Sequence, residues 1–464
     1  MNSETIVAIA TPPGRGGVGI VRVSGSALED FARAICGKLP TPRISAHTRF
    51  RDANAEIIDD GIALFFKAPA SFTGEDVLEL HAHGSPLVLH TLVRRAIELG
   101  ARHAEPGEFT KRAFLNSKLD LAQAEAVADV IDAATESAAR AAVRSLTGEF
   151  SRHIQTLQDR LIRLRMFVEA TLDFPEEDVE FIEQERARDQ LAETRAALEK
   201  VIAQAAQGQL LHDGIRVVLA GAPNVGKSSL LNALAGEDVA IVTPIAGTTR
   251  DTVRARVSVN GLPVEFIDTA GLRDTDDPVE KIGIERTRAA IADADLALLL
   301  VDANSAQVSA DIEALLRELP PSLRCLVVCN KIDLSQRPAA IESISINHPG
   351  SDSVERISSR AVGETIRLSA KTNEGVDSLR AAISKAVGYE HREGGSFSAR
   401  ERHVTALKKT LAHMDDAKQH LDHLALELFA EELRLAHESL GEITGEFTAD
   451  DLLGEIFSRF CIGK

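Results

Sequence analysis

A run of β-formers at residues 215–220 leads into Gly221-Ala222-Pro223-Asn224-Val225-Gly226-Lys227-Ser228, and helical spacing resumes over 229–234. Strand, Gly-x4-Gly-Lys-Ser and helix in that order make a phosphate cradle. The glycines let backbone N–H groups close around an anion at a helix N-terminus, whose dipole favours negative charge. Lys227 is spaced to reach the outer phosphates and Ser228 to ligate Mg2+. Alone, the motif competes with a glycine-rich turn carrying a chance Lys-Ser. Three further motifs follow. Asp268-Thr269-Ala270-Gly271, after a strand over 264–267, puts a carboxylate where Mg2+ and the terminal phosphate would lie. Asn330-Lys331-Ile332-Asp333, after a strand over 326–329, offers a carboxylate that can accept from both N1–H and the 2-amino group of guanine, a pair adenine lacks. Ser369-Ala370-Lys371, after a strand over 365–368, completes a base pocket.

These residues need a scaffold. Residues 213–380 alternate short β-rich runs with helical patterns, which predicts a parallel sheet covered by helices. Residues 1–118 read as mixed α/β, with strands over 6–10, 19–23 and 77–81, a Pro/Gly loop over 12–17, and a helix over 87–99. From Leu119 the chain turns to Ala-rich helix. Val143, Leu146, Phe150, Ile154, Leu157, Leu161, Leu164 and Val168 predict one continuous apolar stripe. An acidic stretch over 169–185 precedes more helix to about residue 207. Gly388 and Gly394-Gly395-Ser396 mark a flexible exit, and Val404, Leu407, Leu411, Met414 and Leu421 resume helical spacing. The two helical stripes bury each other most simply as one domain, with the α/β unit inserted in it. The fold class is therefore multidomain α/β plus all-α, divided at 1–118, 119–212, 213–380 and 381–464.

Composition narrows the function. Lys and Arg number 52 against 70 Asp and Glu in 464 residues, a formal charge of −18, so a basic clamp over nucleic acid is disfavoured. With no Trp, one Tyr (Tyr389) and 17 Phe, a single-strand stacking platform is disfavoured too. No run approaches the roughly 18 apolar residues of a membrane span, and no secretory signal opens the chain. Four cysteines, Cys36, Cys325, Cys329 and Cys461, suit a reducing cytoplasm rather than a disulfide framework. Cys325 and Cys329 share one strand face and read as core thiols, while His81-x-His83 has no convergent third metal ligand.

The four motifs, in this order, resemble the guanine-nucleotide-binding domain of the P-loop GTPases. The resemblance implies GTP contacts from Asn224, Val225, Gly226, Lys227, Ser228 and Ser229; from Thr243, Pro244, Ile245, Ala246, Gly247, Thr248 and Thr249; and from Asp268, Thr269, Ala270, Gly271, Asn330, Lys331, Asp333, Ser369, Ala370 and Lys371. Where Ras-like proteins carry a water-orienting Gln, Leu272 stands here, so hydrolysis needs other help. Asp274, Asp276, Asp277 and Glu280 are the nearby carboxylates. Gly-x-Pro-Asn-x-Gly-Lys-Ser together with Gly247-Thr248-Thr249-Arg250-Asp251 resembles a subgroup activated by G-domain dimerisation around K+. That implies K+ ligands Asn224, Thr243, Ile245 and Thr248, with Thr249 as second Mg2+ ligand beside Ser228.

The ends of the chain extend the match. Ala10-Thr11-Pro12-Pro13-Gly14-Arg15-Gly16-Gly17, Gly74-Glu75-Asp76-Val77-Leu78-Glu79-Leu80, Ala104-Glu105-Pro106-Gly107-Glu108-Phe109-Thr110, Leu119-Asp120-Leu121-Ala122-Gln123-Ala124-Glu125 and the terminal Phe460-Cys461-Ile462-Gly463-Lys464 resemble the MnmE (TrmE) family over essentially the full length. The family is one of tRNA-modifying GTPases. The resemblance implies an N-terminal folate-binding, dimerising domain, and work with the FAD protein MnmG as a heterotetramer. It implies C5 aminomethylation or carboxymethylaminomethylation of the wobble uridine of certain tRNAs, from a 5-formyl- or 5,10-methylene-tetrahydrofolate derivative. It carries folate contacts onto Arg22, Glu79, Lys118 and Lys464, a candidate functional thiol onto Cys461, and the catalytic carboxylate onto Glu280. A regulatory GTPase switch without RNA chemistry is opposed by the folate-domain motifs. A folate-dependent aminomethyltransferase with a structural nucleotide is opposed by the full set of GTPase motifs.

Overall fold

The computed structural model describes residues 4–173, 180–236, 254–268, 291–334, 338–343, 361–390, 396–446, 450–458 and 460–463. The chain divides into two compact units, one comprising Met1–Ala128, Ser145–Leu198 and Ala406–Lys464, the other Asp129–Arg144 and Glu199–Thr405. The chain thus leaves the first unit and returns to it, with the nucleotide-type fold between.

In the first unit six strands, β1 (Ile6–Ile9), β2 (Gly16–Gly25), β3 (Ala46–Arg51), β4 (Ile57–Phe66), β5 (Asp76–Gly84) and β6 (Arg102–His103), form a sheet of order β3-β4-β5-β2-β1-β6. All neighbours are antiparallel except β1 and β6. Helices α1 (Glu29–Cys36) and α2 (Pro86–Glu98) supply apolar residues to one core with the sheet residues Val21, Val23, Leu78, Leu80, Ala63 and Phe65. The alternation of period two leaves Arg22 and Glu79 on the opposite face, each only partly buried. Strand β2 begins at Gly16, inside the stretch expected to be loop, and β3 and β4 carry no expectation from the sequence reading.

Six helices follow as α3 (Glu108–Leu115), α4 (Leu121–Asp132), α5 (Glu136–Leu146), α6 (Glu149–Asp173), α7 (Glu180–Asp213) and, past the next strand, α8 (Lys227–Ala235). The expected continuous stripe from Val143 is broken. Gly148, at φ +81°, ends one helix and starts the next, and Val143 is 45% exposed. From Phe150 onward the stripe holds: Phe150, Ile154, Leu157, Leu161, Leu164 and Val168 are all buried.

The second unit is built on seven strands: β7 (Ile215–Gly221), β8 (Arg254–Val259), β9 (Leu262–Asp268), β10 (Leu296–Asp302), β11 (Cys325–Asn330), β12 (Ala340–Ser343) and β13 (Ala361–Arg367). Their order is β12-β13-β11-β10-β7-β9-β8, parallel through the five central strands and antiparallel at both edges. Strand β11 is buried along its whole length, as a central strand between two helical layers must be. Cys325 and Cys329 point into one apolar layer with Val327, Leu299 and Ile312, and Leu326 and Val328 into the other. The remaining helices are α9 (Val308–Glu318), α10 (Val376–Ala386), α11 (Glu401–Asp422), α12 (Leu426–Thr444) and α13 (Asp450–Ser458). Among the described residues no helix is long and apolar enough to cross a membrane.

Candidate functional site

Parallel strands deliver their carboxyl ends to one edge of a sheet, and that edge is where loops can converge on a ligand. Here the carboxyl ends of β7, β9, β10 and β11 bring Gly221, Asp268, Asp302 and Asn330 to the same side. Lys227 donates to the carbonyl of Gly221 at 2.8 Å and lies 3.5 Å from Asp268 Oδ1. The glycine loop and the Asp268 motif therefore meet at one ammonium.

Gly226 caps α8 at φ +104°, in the left-handed region, and a Cβ there would stand 2.3 Å from Asn330 Nδ2. Only glycine fits such a crossing. Asn224 is also left-handed, at φ +63°, and is exposed with Ser228 and Ser229, while Val225 is buried. The loop thus turns its polar side chains outward and anchors by Val225.

Asn330 is the hub of the base side. It is 2% exposed, its Nδ2 donates to the Val225 carbonyl at 2.9 Å, and its Oδ1 accepts from Ala370 N at 2.9 Å. One amide side chain thereby ties the phosphate loop to the Ser369-Ala370-Lys371 loop, using both of its ends. Ser369 donates from Oγ to Asp333 Oδ1 at 2.7 Å, leaving Asp333 exposed for a ligand. Lys331 sits at φ +70° and pairs with Asp302 at 2.9 Å. Burial alone pushes the Asp302 carboxyl up. The Lys331 ammonium and the Asn304 N–H groups outweigh it and hold the carboxyl below its ordinary range. Asp302 and Asn304 were not picked out by motif; their position directly after the apolar run of β10 was the available signal.

In the first unit Arg22 and Glu79 stand opposite each other across β2 and β5 and pair at 2.9 Å. The guanidinium also lies 5.8 Å from the ring centres of Phe72 and Phe109, and His81 Nε2 lies 3.3 Å from the other Glu79 oxygen. His83 pairs instead with Asp59. No cluster of three or more metal-type ligands occurs among the described residues. Lys118 donates to the Pro69 carbonyl at 3.0 Å, and the neighbouring Asn116 holds the Thr73 carbonyl at 2.7 Å, so both brace the loop that carries Phe72. The C-terminal tail docks on the same unit. Ile462 bridges to Pro106, Gly107 N donates to the Cys461 carbonyl, and Gly463 at φ +99° is packed so closely that a Cβ would stand 2.4 Å from the Ile9 carbonyl. Cys461 is exposed, whereas Cys36 is buried and its thiol is pushed up to about 12 by desolvation.

Below this site lies a charged brace. Arg102 makes a two-pronged pair with Glu108 at 2.7 and 2.8 Å, and Arg112 bridges Glu108 to Glu75, each at 2.8 Å. Burial pushes the Glu108 carboxyl up, but Arg102, the Glu105 N–H and Arg112 together bring it down to about 2.

The expected site residues Thr243, Pro244, Ile245, Ala246, Gly247, Thr248, Thr249, Thr269, Ala270, Gly271, Glu280 and Lys464, and Leu272, lie outside the described residues.

Two family profiles match this chain. A family profile described as "GTP-binding protein TrmE N-terminus" matches residues 5–118, and one described as "MnmE helical domain" matches residues 121–461. A protein named tRNA modification GTPase MnmE from Chromobacterium violaceum is 56% identical over 461 residues, covering 99% of this chain and 98% of its own. Proteins of the same name from Neisseria meningitidis and Dechloromonas aromatica are each 56% identical, covering 100% of this chain and 99% and 100% of their own. With the phosphate loop, the base-side loops and the docked C-terminal tail in place, this chain belongs to the MnmE (TrmE) family.

Proposed function

We propose that this protein hydrolyses GTP to GDP and phosphate in the service of tRNA modification. The observation that carries the guanine reading is Asn330, whose two amide ends join the phosphate loop at Val225 to the base loop at Ala370. Bound that way, a nucleotide would set its phosphates against Lys227 and its base against Asp333. Lys227 offers one ammonium to the outer phosphates, and the N–H groups at the start of α8 add their dipoles. Asp333 discriminates, because accepting two N–H donors from one base edge leaves adenine with an unpaired carboxylate.

The residues present suit the ions implied. Ser228 is exposed at the helix start and Asp268 lies beside Lys227, so an Mg2+ held by Ser228 and Thr249 would neutralise phosphate charge. Asn224 presents its side chain from a left-handed backbone, as a ligand to K+ with Thr243, Ile245 and Thr248 would need. A cation there supplies the charge that an arginine finger supplies elsewhere. Glu280, in place of the glutamine that Leu272 replaces, orients the attacking water. The G domains of a homodimer close on one another to complete this arrangement.

The domain of residues 1–118 binds the tetrahydrofolate derivative. The Glu79 carboxylate can accept from pterin N–H donors while Arg22, braced by Phe72 and Phe109, Lys118 and Lys464 meet its carbonyls or carboxylates. Cys461 stands exposed in the docked tail as the candidate thiol. MnmG is the partner for aminomethylation or carboxymethylaminomethylation of the wobble uridine in the cytoplasm, and the charge of −18 leaves much of the tRNA docking to it. Phosphate release measured in KCl and in NaCl at equal ionic strength tests the ion: higher turnover in KCl is expected, and equal rates would remove K+ from the reading. Glu280→Ala should keep nucleotide binding and lose turnover. Nucleoside analysis of tRNA from cells lacking the protein tests the rest, and unchanged wobble uridines would leave a GTPase switch.

A further inference from the structure

The base pocket contains two residues that no nucleotide motif marks. Strand β10 ends at Asp302 and is followed by Ala303-Asn304, alongside Asn330 at the end of β11, and Asp302 and Asn330 are register partners. The Ala303 N–H donates to the Asn330 carbonyl at 2.8 Å, so the two strand ends are stitched one residue past the sheet. Beyond that stitch Lys331 takes a left-handed backbone, at φ +70°, which a side-chain-bearing residue adopts only when its surroundings hold it.

The holding groups are Asp302 and Asn304. Asp302 Oδ2 takes the Lys331 ammonium at 2.9 Å, and its Oδ1 accepts from both the backbone N–H and the side-chain amide of Asn304, at 2.9 and 3.1 Å. The same Asn304 amide donates to the Lys331 carbonyl at 3.1 Å. Side chain and backbone of Lys331 are thus gripped at once, by two residues that also grip each other. Lys331 lies between Asn330 and Asp333, so its backbone angle sets how the exposed Asp333 carboxylate stands relative to the buried Asn330 amide.

We propose that Asp302 and Asn304 are positioning residues for base selectivity: by pinning Lys331 in its left-handed turn they aim Asp333 at the base edge. This rests on the guanine-nucleotide reading above. They touch no nucleotide themselves. Their loss leaves the phosphate loop, which is anchored by Val225 and Lys227, intact.

The test compares guanosine diphosphate with inosine diphosphate, which keeps the sugar, phosphates and N1–H and lacks the 2-amino group. Calorimetric titration of the full chain should show a preference for guanosine in the unaltered protein. In Asp302→Ala guanosine affinity should fall about tenfold, the size of one partly exposed charge-assisted contact, and inosine affinity should fall less, because inosine has only its N1–H to lose, so the preference narrows. Asp302→Asn, which keeps an acceptor for the Asn304 N–H and loses the charge on Lys331, should fall between, and Asn304→Ala should follow Asp302→Ala. An equal loss for both nucleotides, or a preference left intact, would overturn the inference and leave the residues a merely structural role. Absence of any guanosine preference in the unaltered protein would overturn the guanine reading itself.

Discussion

At the carboxyl end of β7 Lys227 is held by the Gly221 carbonyl, six residues before it, whereas Arg22 of β2 is held by Glu79 of β5, 57 residues away. The phosphate loop takes its shape from one strand, one turn and one helix start, and is tied from a distance by Asn330 and Asp268. The Arg22–Glu79 pair is assembled across two strands, beside a loop braced by Asn116 and Lys118 just past α3. The first kind of site takes its shape from neighbouring residues and its anchorage from Asn330, so a single turn residue at that crossing can disturb it. The second depends on strand register, and the Arg102–Glu108–Arg112–Glu75 brace lies in the same unit.

Substitutions can sharpen that contrast. The largest effect belongs to Lys227→Ala, which removes the cation facing the outer phosphates and should slow GTP turnover on the order of 10³-fold in a phosphate-release assay. Stability should be little changed. Next comes Gly226→Ala, which sets a Cβ at φ +104° within 2.3 Å of Asn330 Nδ2. Strain and overlap together should weaken guanine nucleotide binding on the order of 10²-fold by calorimetry, and normal binding would mean that the crossing with Asn330 does not shape the loop.

Glu108→Gln probes the other region. Removing the carboxylate leaves Arg102 and Arg112 facing a neutral amide and should cost about 3 kcal/mol in denaturant unfolding of the first unit, with the phosphate loop unaffected. The sign of the pH dependence follows from a folded carboxyl at about 2 against an ordinary 4.5. The unfolded chain binds this proton first as pH falls, so the stabilisation is full above about pH 4.5 and drains away toward pH 2. The difference between the unaltered protein and the variant should therefore shrink over that window, and a constant difference would contradict the pairing. The smallest effect is expected of Gly463→Ala, where a Cβ would meet the Ile9 carbonyl. It should loosen the tail by about 1–2 kcal/mol, seen as faster hydrogen exchange at the Gly107 amide that bonds to Cys461.

Motif spacing made the phosphate loop, Asp268, Asn330, Asp333 and Ser369 legible, because each lies just past a buried β-rich run and such runs must end at one edge of a parallel sheet. The break at Gly148 was not legible, since an apolar stripe at helical steps reads the same across a left-handed glycine as through a straight helix. Strands β3 and β4 escaped for a related reason: polar and charged residues such as His47, Arg49, Asp59 and Asp60 blur their alternation, and they become strands by pairing, β4 with β5 and β3 with β4.

By itself the order of residues determined the chemistry on offer: an ammonium after a glycine turn, a carboxylate able to read guanine, and a family signature running from Ala10 to Gly463. Only the tertiary structure decided that Asn330 spends both ends of its amide joining the two loops, that Asp302 and Asn304 grip Lys331, and that the C-terminal tail lies against Ile9 and Gly107. The reason is range. Turn and helix-start geometry follows from neighbouring residues, whereas contacts between distant segments depend on strand register and sheet order, which the packing of the whole unit sets.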